Sequence, residues 1–223
     1  MEELRRGFHE RLSELEDDVL GMGQAVLRMI DDVMAALVGR SVEQAEAVIV
    51  ADEAVDVAYA GVQEGVLATL ALEAPVASEL RLVSALIHVS LHLERVGDLC
   101  VNIAKFVKLT ESFPADPALM EQVQEMGEHA WRAIGRCMQS FARRDVALAR
   151  ELNALDDPLD RLNRGLFRRL VRLASSDEER LDWAFGMVLV ARYLERIGDH
   201  AVDIGEQAEF VVTGSVGASA ALD

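Results

Sequence analysis

Leu93-Glu94-Arg95-Val96-Gly97-Asp98 and Leu194-Glu195-Arg196-Ile197-Gly198-Asp199 are nearly identical and lie 101 residues apart in a chain of 223. Self-similarity at about half the chain length marks a duplicated unit. In each copy a Glu and an Asp stand four residues apart in a run that otherwise has the apolar spacing of a helix. Residues at i and i+4 share a helix face, where two like charges cost about 0.2–0.5 kcal/mol even when exposed. Buried without partners they cost far more. The same penalty, met twice at matching places, calls for a cation.

Outward from these motifs, apolar residues recur at spacings of three and four through long uninterrupted segments, so the fold class is all-α. The pattern predicts six long helices, at about 3–38, 42–73, 77–109, 117–143, 146–173 and 178–212. They form two tandem related three-helix bundles, residues 1–111 and 116–213, followed by a frayed Gly/Ser/Ala-rich tail over 214–223. Ser41-Val42-Glu43-Gln44 and Ser176-Asp177-Glu178-Glu179 read as capping boxes opening the second and sixth helices. Glu73-Ala74-Pro75 stops the second helix. Thr110 to Pro117, with two prolines, separates the halves.

Composition narrows the function. A formal net charge of −17 argues against nucleic acid, which is bound through clustered Lys and Arg, and suits a protein that meets cations or basic surfaces. The start Met1-Glu2-Glu3 is acidic where a secretory signal is basic. No membrane span is expected: the run from Trp183 to Ala191 is short and flanked by Asp182 and Arg192, whereas a span needs about twenty residues. A cytoplasmic location follows as an expectation, with Cys100 and Cys137 as buried thiols rather than a disulfide. The chain contains no GxxxxGK[ST], so nucleotide hydrolysis is not expected.

The acidic residues form a pattern. On a helical wheel Glu94 and Asp98 fall among core-type positions near Val83, Ile87, Leu91 and Val101, and Arg95 points about 100° away. Asp52-Glu53-Ala54-Val55-Asp56 and Asp156-Asp157-Pro158-Leu159-Asp160 supply a second pair on the helix before each motif. In an antiparallel hairpin turning at Pro75, both first-half pairs stand at the same height, about 31 Å from the turn. The second-half pairs match to within one helical turn. Each half can therefore assemble four carboxylates on facing helices, a donor set for Mg, Ca, Mn, Fe or Zn. Asn102 and Asp203 extend each i, i+4 ladder by one step. The alternative is that these acids pair with Arg in structural ion pairs.

Other features read as ordinary. His88, His92 and His200 are taken as surface or partly buried histidines. No Glu-x-x-His occurs, which counts against a ferritin-like oxidase. Gly97 and Gly198 cost about 1 kcal/mol each relative to Ala within a helix, so each serves a close approach, by a helix or by a bound cluster. Arg161, Arg164, Arg168, Arg169 and Arg172 form a basic stripe, read as a solvated face.

Pro75-Val76-Ala77-Ser78-Glu79-Leu80-Arg81, followed by Leu93 to Ile103, resembles the first repeat of the PhoU phosphate-uptake regulators; Val190 to Ile204 resembles the second. The likeness covers nearly the whole chain. It implies side-by-side bundles and mono- or multinuclear metal, iron or zinc foremost, held by acid-xxx-Asp motifs. Those motifs fall on Asp52/Asp56, Glu94/Asp98, Asp156/Asp160 and Glu195/Asp199, with Asn102 and Asp203 at further polar positions. Asn102 faces Asp203 across the repeat, so the two sites are expected to differ in affinity. The likeness also implies a non-enzymatic, cytoplasmic accessory of the phosphate ABC transporter. That accessory restrains uptake and starvation signalling through the transporter ATPase and the phosphate-sensing histidine kinase. A homodimer is expected, with neither nucleic acid binding nor membrane insertion. Two rival readings stand beside it: a two-metal carboxylate hydrolase, and a structural helical adaptor of another transporter.

Overall fold

A computed structural model describes residues 2–73, 75–110, 116–176 and 178–215. Six helices make up the fold: α1 (Glu2–Gly39), α2 (Val42–Leu72), α3 (Ser78–Leu109), α4 (Pro117–Arg143), α5 (Val146–Ser176) and α6 (Leu181–Thr213). A 3₁₀ turn, Glu178–Arg180, leads into α6. No strand occurs among the described residues. The all-α class and the pair of three-helix bundles expected from the repeat are what the chain adopts.

The duplication extends to the turns. α1 ends on Arg40 and α4 on Arg144, both at φ 55° in the left-handed region. The next amide reaches back five residues in each, Ser41 N to Ala36 O at 3.0 Å and Asp145 N to Ser140 O at 3.0 Å, which satisfies carbonyls the helix end leaves open. Ser41 Oγ then accepts from Gln44 N, capping α2 as anticipated, and Asp145 Oδ1 accepts from Leu148 N at the start of α5. The second expected capping box is not seen among the described residues. Ser176 is the last residue of α5 and its hydroxyl donates back to Leu173 O; Asp177 lies outside the described residues.

Within each lobe all three helices touch one another. Between lobes α3 packs on α6 and α1 on α4, while α2 and α5 are not in contact. Across one face the helices therefore run α2, α3, α6, α5. The two central helices are the most apolar in their surroundings. α3 buries Val83, Leu86, Leu93, Val96 and Cys100, and α6 buries Trp183, Met187, Leu194, Ile197 and Ile204, all in one continuous core. Arg81 of α3 also donates to Val211 O of α6, and Arg144 pairs with Glu16 of α1 at 2.8 Å, tying the lobes at their ends.

α2 is long and apolar enough, by length and composition, to cross a membrane. In the fold its Ala45, Val48, Val55, Val62 and Val66 face α1 and α3, while Val50, Val57 and Leu67 are exposed. Acidic residues interrupt the apolar stretches of α2.

Gly186 of α6 lies under the Phe106 ring of α3, and a Cβ built there overlaps that ring. Gly186→Ala gains up to about 1 kcal/mol in helix propensity but overpacks the seam at a cost of about 1–3 kcal/mol. We expect a net loss of stability in urea unfolding. A more stable variant would show that the seam is looser than described.

Candidate metal centre

The first lobe brings its four predicted carboxylates together. Asp52 and Asp56 on α2 face Glu94 and Asp98 on α3, near enough to perturb one another electrostatically. Burial, followed by the charges of Asp56, Asp98 and Glu94, pushes the Asp52 carboxyl up to about 6, with only Lys105 opposing. Burial and then Asp98 and Asp56 likewise raise Glu94 against Arg95. Asp52 Oδ1 is buried and has no hydrogen-bond partner. It lies directly over Gly97, where a Cβ would come 2.5 Å from that oxygen. The close approach that Gly97 permits is thus that of a carboxylate. Asp56 and Asp98 are exposed, so the quartet opens to solvent. Four mutually repelling carboxylates around an orphaned oxygen fit a hard or borderline cation, which would supply the missing partner.

The second lobe is built differently. Glu195 is buried and pairs with Arg192, three residues earlier on the same helix. Burial raises the Asp199 carboxyl, and Arg192 opposes this more strongly than Asp160 reinforces it. Asp160 has Arg164 at 3.9 Å. Asp156 lies on α5, but its side chain is outside the described residues. This lobe thus carries an ion-paired cation, the Arg192 guanidinium, whereas in the first lobe Arg95 and Lys105 oppose the raised pKa values without an ion pair to Glu94 or Asp52. The sequence offered a signal for it: the residue three before Glu94 is Leu91, so Arg192 is a charge the first repeat lacks.

Asn102 and Asp203 occupy equivalent steps but different surroundings. Asn102 is half-buried on α3, one turn beyond Asp98. Asp203 Oδ2 lies 3.4 Å from His92 Nδ1 and 3.5 Å from His200 Nδ1. The hydrogen bond from His200 lowers its carboxyl pKa against the effect of burial. His92 is pushed down to about 4, chiefly by burial, and is therefore a neutral imidazole at physiological pH. His88 is exposed and His92 half-buried, within the surface or partly buried reading, whereas His200 is buried. His92 and His200 belong to different lobes, and neither repeat alone encodes the register that brings them together.

The remaining candidates keep to their simple readings. Arg161, Arg164, Arg168, Arg169 and Arg172 are exposed along α5. Cys100 and Cys137 are free and buried, and burial pushes both thiols up, away from reactivity. A cavity of about 640 Å³ opens between α1 and α4, with Met34, Trp131 and Arg132 in its lining; none of the predicted ligands lines it.

A duplicated three-helix bundle whose third helices each carry a Glu-xxx-Asp pair, set in the first lobe against a second acidic pair, defines a class of acid-faced, two-lobed helical proteins. The PhoU domain model matches residues 19–107 and 123–208, and the chain belongs to that family. It is 29% identical over 208 residues to a phosphate-specific transport system accessory protein PhoU homolog of Methanothermobacter thermautotrophicus, covering 92% of this chain and 94% of that one. It is 30% identical over 210 residues to such a homolog of Caulobacter vibrioides, covering 94% and 91%. The crystal structure of PhoU from Pseudomonas aeruginosa superposes with a TM-score of 0.89 at 27% identity, covering 93% of this chain and 100% of that one. The phosphate transport system regulatory protein PhoU from Streptococcus pneumoniae gives 0.85 at 28%, covering 94% and 98%.

The raised Asp52 pKa makes a stability prediction for metal-free protein. The folded state holds this proton to about pH 6, whereas an ordinary Asp releases it near 3.8. Stability in chelator therefore declines as pH rises from about 4 to about 6. Asp52 is partly exposed, so solvent screening reduces the linkage to about 1 kcal/mol. Asp52→Asn should flatten the decline and be the more stable protein at pH 7.5 by roughly that amount. Equal slopes for the two proteins would show that Asp52 titrates normally.

Proposed function

We propose that this chain is a non-enzymatic regulator attached to phosphate transport, whose α2–α3 carboxylates hold a metal ion. The role follows the relatives, which are named as accessory or regulatory proteins of phosphate transport systems. The observation that carries the metal reading is the orphaned, buried Asp52 Oδ1 within a four-carboxylate cluster. Asp52, Asp56, Glu94 and Asp98 would be the ligands, with Asn102 one turn beyond, and iron or zinc the favoured ions ahead of manganese, magnesium or calcium. Asp160, Glu195 and Asp199 form a second, weaker site, because Arg192 already neutralises part of its charge.

The bound ion would relieve the repulsion between α2 and α3 and stiffen the outer face of the first lobe. That face would meet the transporter ATPase and the phosphate-sensing histidine kinase in the cytoplasm, restraining uptake and starvation signalling while phosphate is plentiful. The exposed Val50, Val57 and Leu67 of α2 offer an apolar surface for a homodimer or for these partners. The coupling is allosteric if partner binding and metal affinity change reciprocally.

Elemental analysis of protein purified without chelator should find about one or more equivalents of iron, zinc or manganese, reduced in Asp52→Asn/Asp98→Asn. In cells lacking the gene, labelled phosphate uptake should rise several-fold and be restored to normal by the wild type but not by the double variant. Full restoration by the double variant would remove the first-lobe metal from the regulatory account.

A further inference from the structure

One turn beyond Asp199, and apart from the first-lobe quartet, the seam between the lobes gathers three donor atoms. His92 of α3 presents Nδ1 3.1 Å from His200 Nδ1 of α6, and Asp203 Oδ2 lies 3.4 Å and 3.5 Å from these two nitrogens. The three residues offer ligand atoms that all converge within 4.8 Å. His200 is 7% exposed, and its other ring nitrogen, Nε2, is buried without a hydrogen-bond partner. Nothing on the Nε2 side, therefore, explains the orientation of this ring.

Hydrogen bonding alone accounts poorly for the triangle. Of the two facing Nδ1 atoms only one can donate to the other, and Asp203 sits at the outer limit of hydrogen-bond distance from both. A tetrahedral ion accounts for it well. With bonds of 2.0–2.1 Å, the ligand atoms of such an ion lie about 3.3 Å apart, close to the three observed edges. Two imidazoles bound through one nitrogen each to that ion have ring centroids about 5.2 Å apart, and the rings of His92 and His200 are 5.2 Å apart.

We propose that His92, His200 and Asp203 form a tetrahedral metal site of the zinc class, with the fourth position open, that clasps the two lobes together. Two imidazoles and one carboxylate select zinc over magnesium or calcium. The half-exposed Asp203 leaves the site reachable from solvent, and three protein ligands leave one position for water. The site does not depend on the carboxylate quartet of the first lobe, since it shares none of those four side chains. Because its ligands come from α3 and α6, binding ties the lobes across the surface along which they would separate.

The test uses the whole chain, stripped with chelator and titrated with Zn(II), then with Co(II) as a spectroscopic stand-in. Asp52→Asn/Asp98→Asn should keep one tight zinc equivalent, an intense visible Co(II) spectrum of the four-coordinate kind and a zinc-dependent rise in melting temperature. His92→Gln added to that double variant should lose all three, its zinc affinity falling more than about a hundredfold. Asp203→Asn should behave the same way, and it decides the matter if His92→Gln melts early or loses helix without metal. Zinc binding at the double variant's own affinity after either addition would overturn the proposal. So would a weak six-coordinate Co(II) spectrum that disappears in Asp52→Asn/Asp98→Asn. Failure here leaves the first-lobe metal reading standing, because that double variant reports on it separately.

Discussion

The seam between α3 and α6 is the contact on which the rest of the molecule depends. Both helices bury apolar residues toward their own bundles and toward each other, and both also carry the acidic motif. A helix with so much apolar surface cannot turn to carry Glu94 or Glu195 fully into water without exposing its core side chains, at about 25 cal/mol for each Å² returned to water. The acids are therefore held where the packing puts them. In the first lobe this means against α2 and over Gly97, with one oxygen left unpartnered. The acidic residues here are placed by core packing, and their charge repulsion is tolerated rather than avoided.

The two lobes meet the same electrostatic problem with different resources. The first surrounds Asp52 with three other carboxylates and a single lysine. The second brings Arg192 onto Glu195 and close to Asp199. Duplication preserved the backbone, down to the left-handed arginines that end α1 and α4, while side-chain substitution made one cluster short of cations and left the other partly neutralised. An ion that relieves repulsion should therefore favour the first lobe, and the two halves of a symmetric scaffold become inequivalent.

Much of the fold was legible because it rests on local signals. Helical spacing, the Pro75 stop and the Ser41 cap are read within a few residues, and the matched heights of the first-lobe acids follow from helix rise alone. What escaped the sequence lies between elements. The start of α6 was misplaced because Ser176 bonds back into α5 instead of capping forward. Asp203 was assigned to the second ladder by its i+4 spacing from Asp199, yet its oxygen faces His92 of the other lobe. Pairing of α3 with α6 depends on how two bundles dock, and no repeat within one bundle encodes that register. Arg192 was visible as a departure from the first repeat, but its effect needed the rotamer that brings it onto Glu195.

The most direct test of the central claim, that the first-lobe carboxylates hold a cation, is anomalous diffraction from crystals of protein purified without chelator, collected at the iron, zinc and manganese edges. The account predicts a peak within bonding distance of Asp52, adjacent to Glu94 and Asp98, and stronger than any peak beside Glu195. Anomalous maps without a peak among these four carboxylates, or with a stronger one beside Arg192, would contradict it.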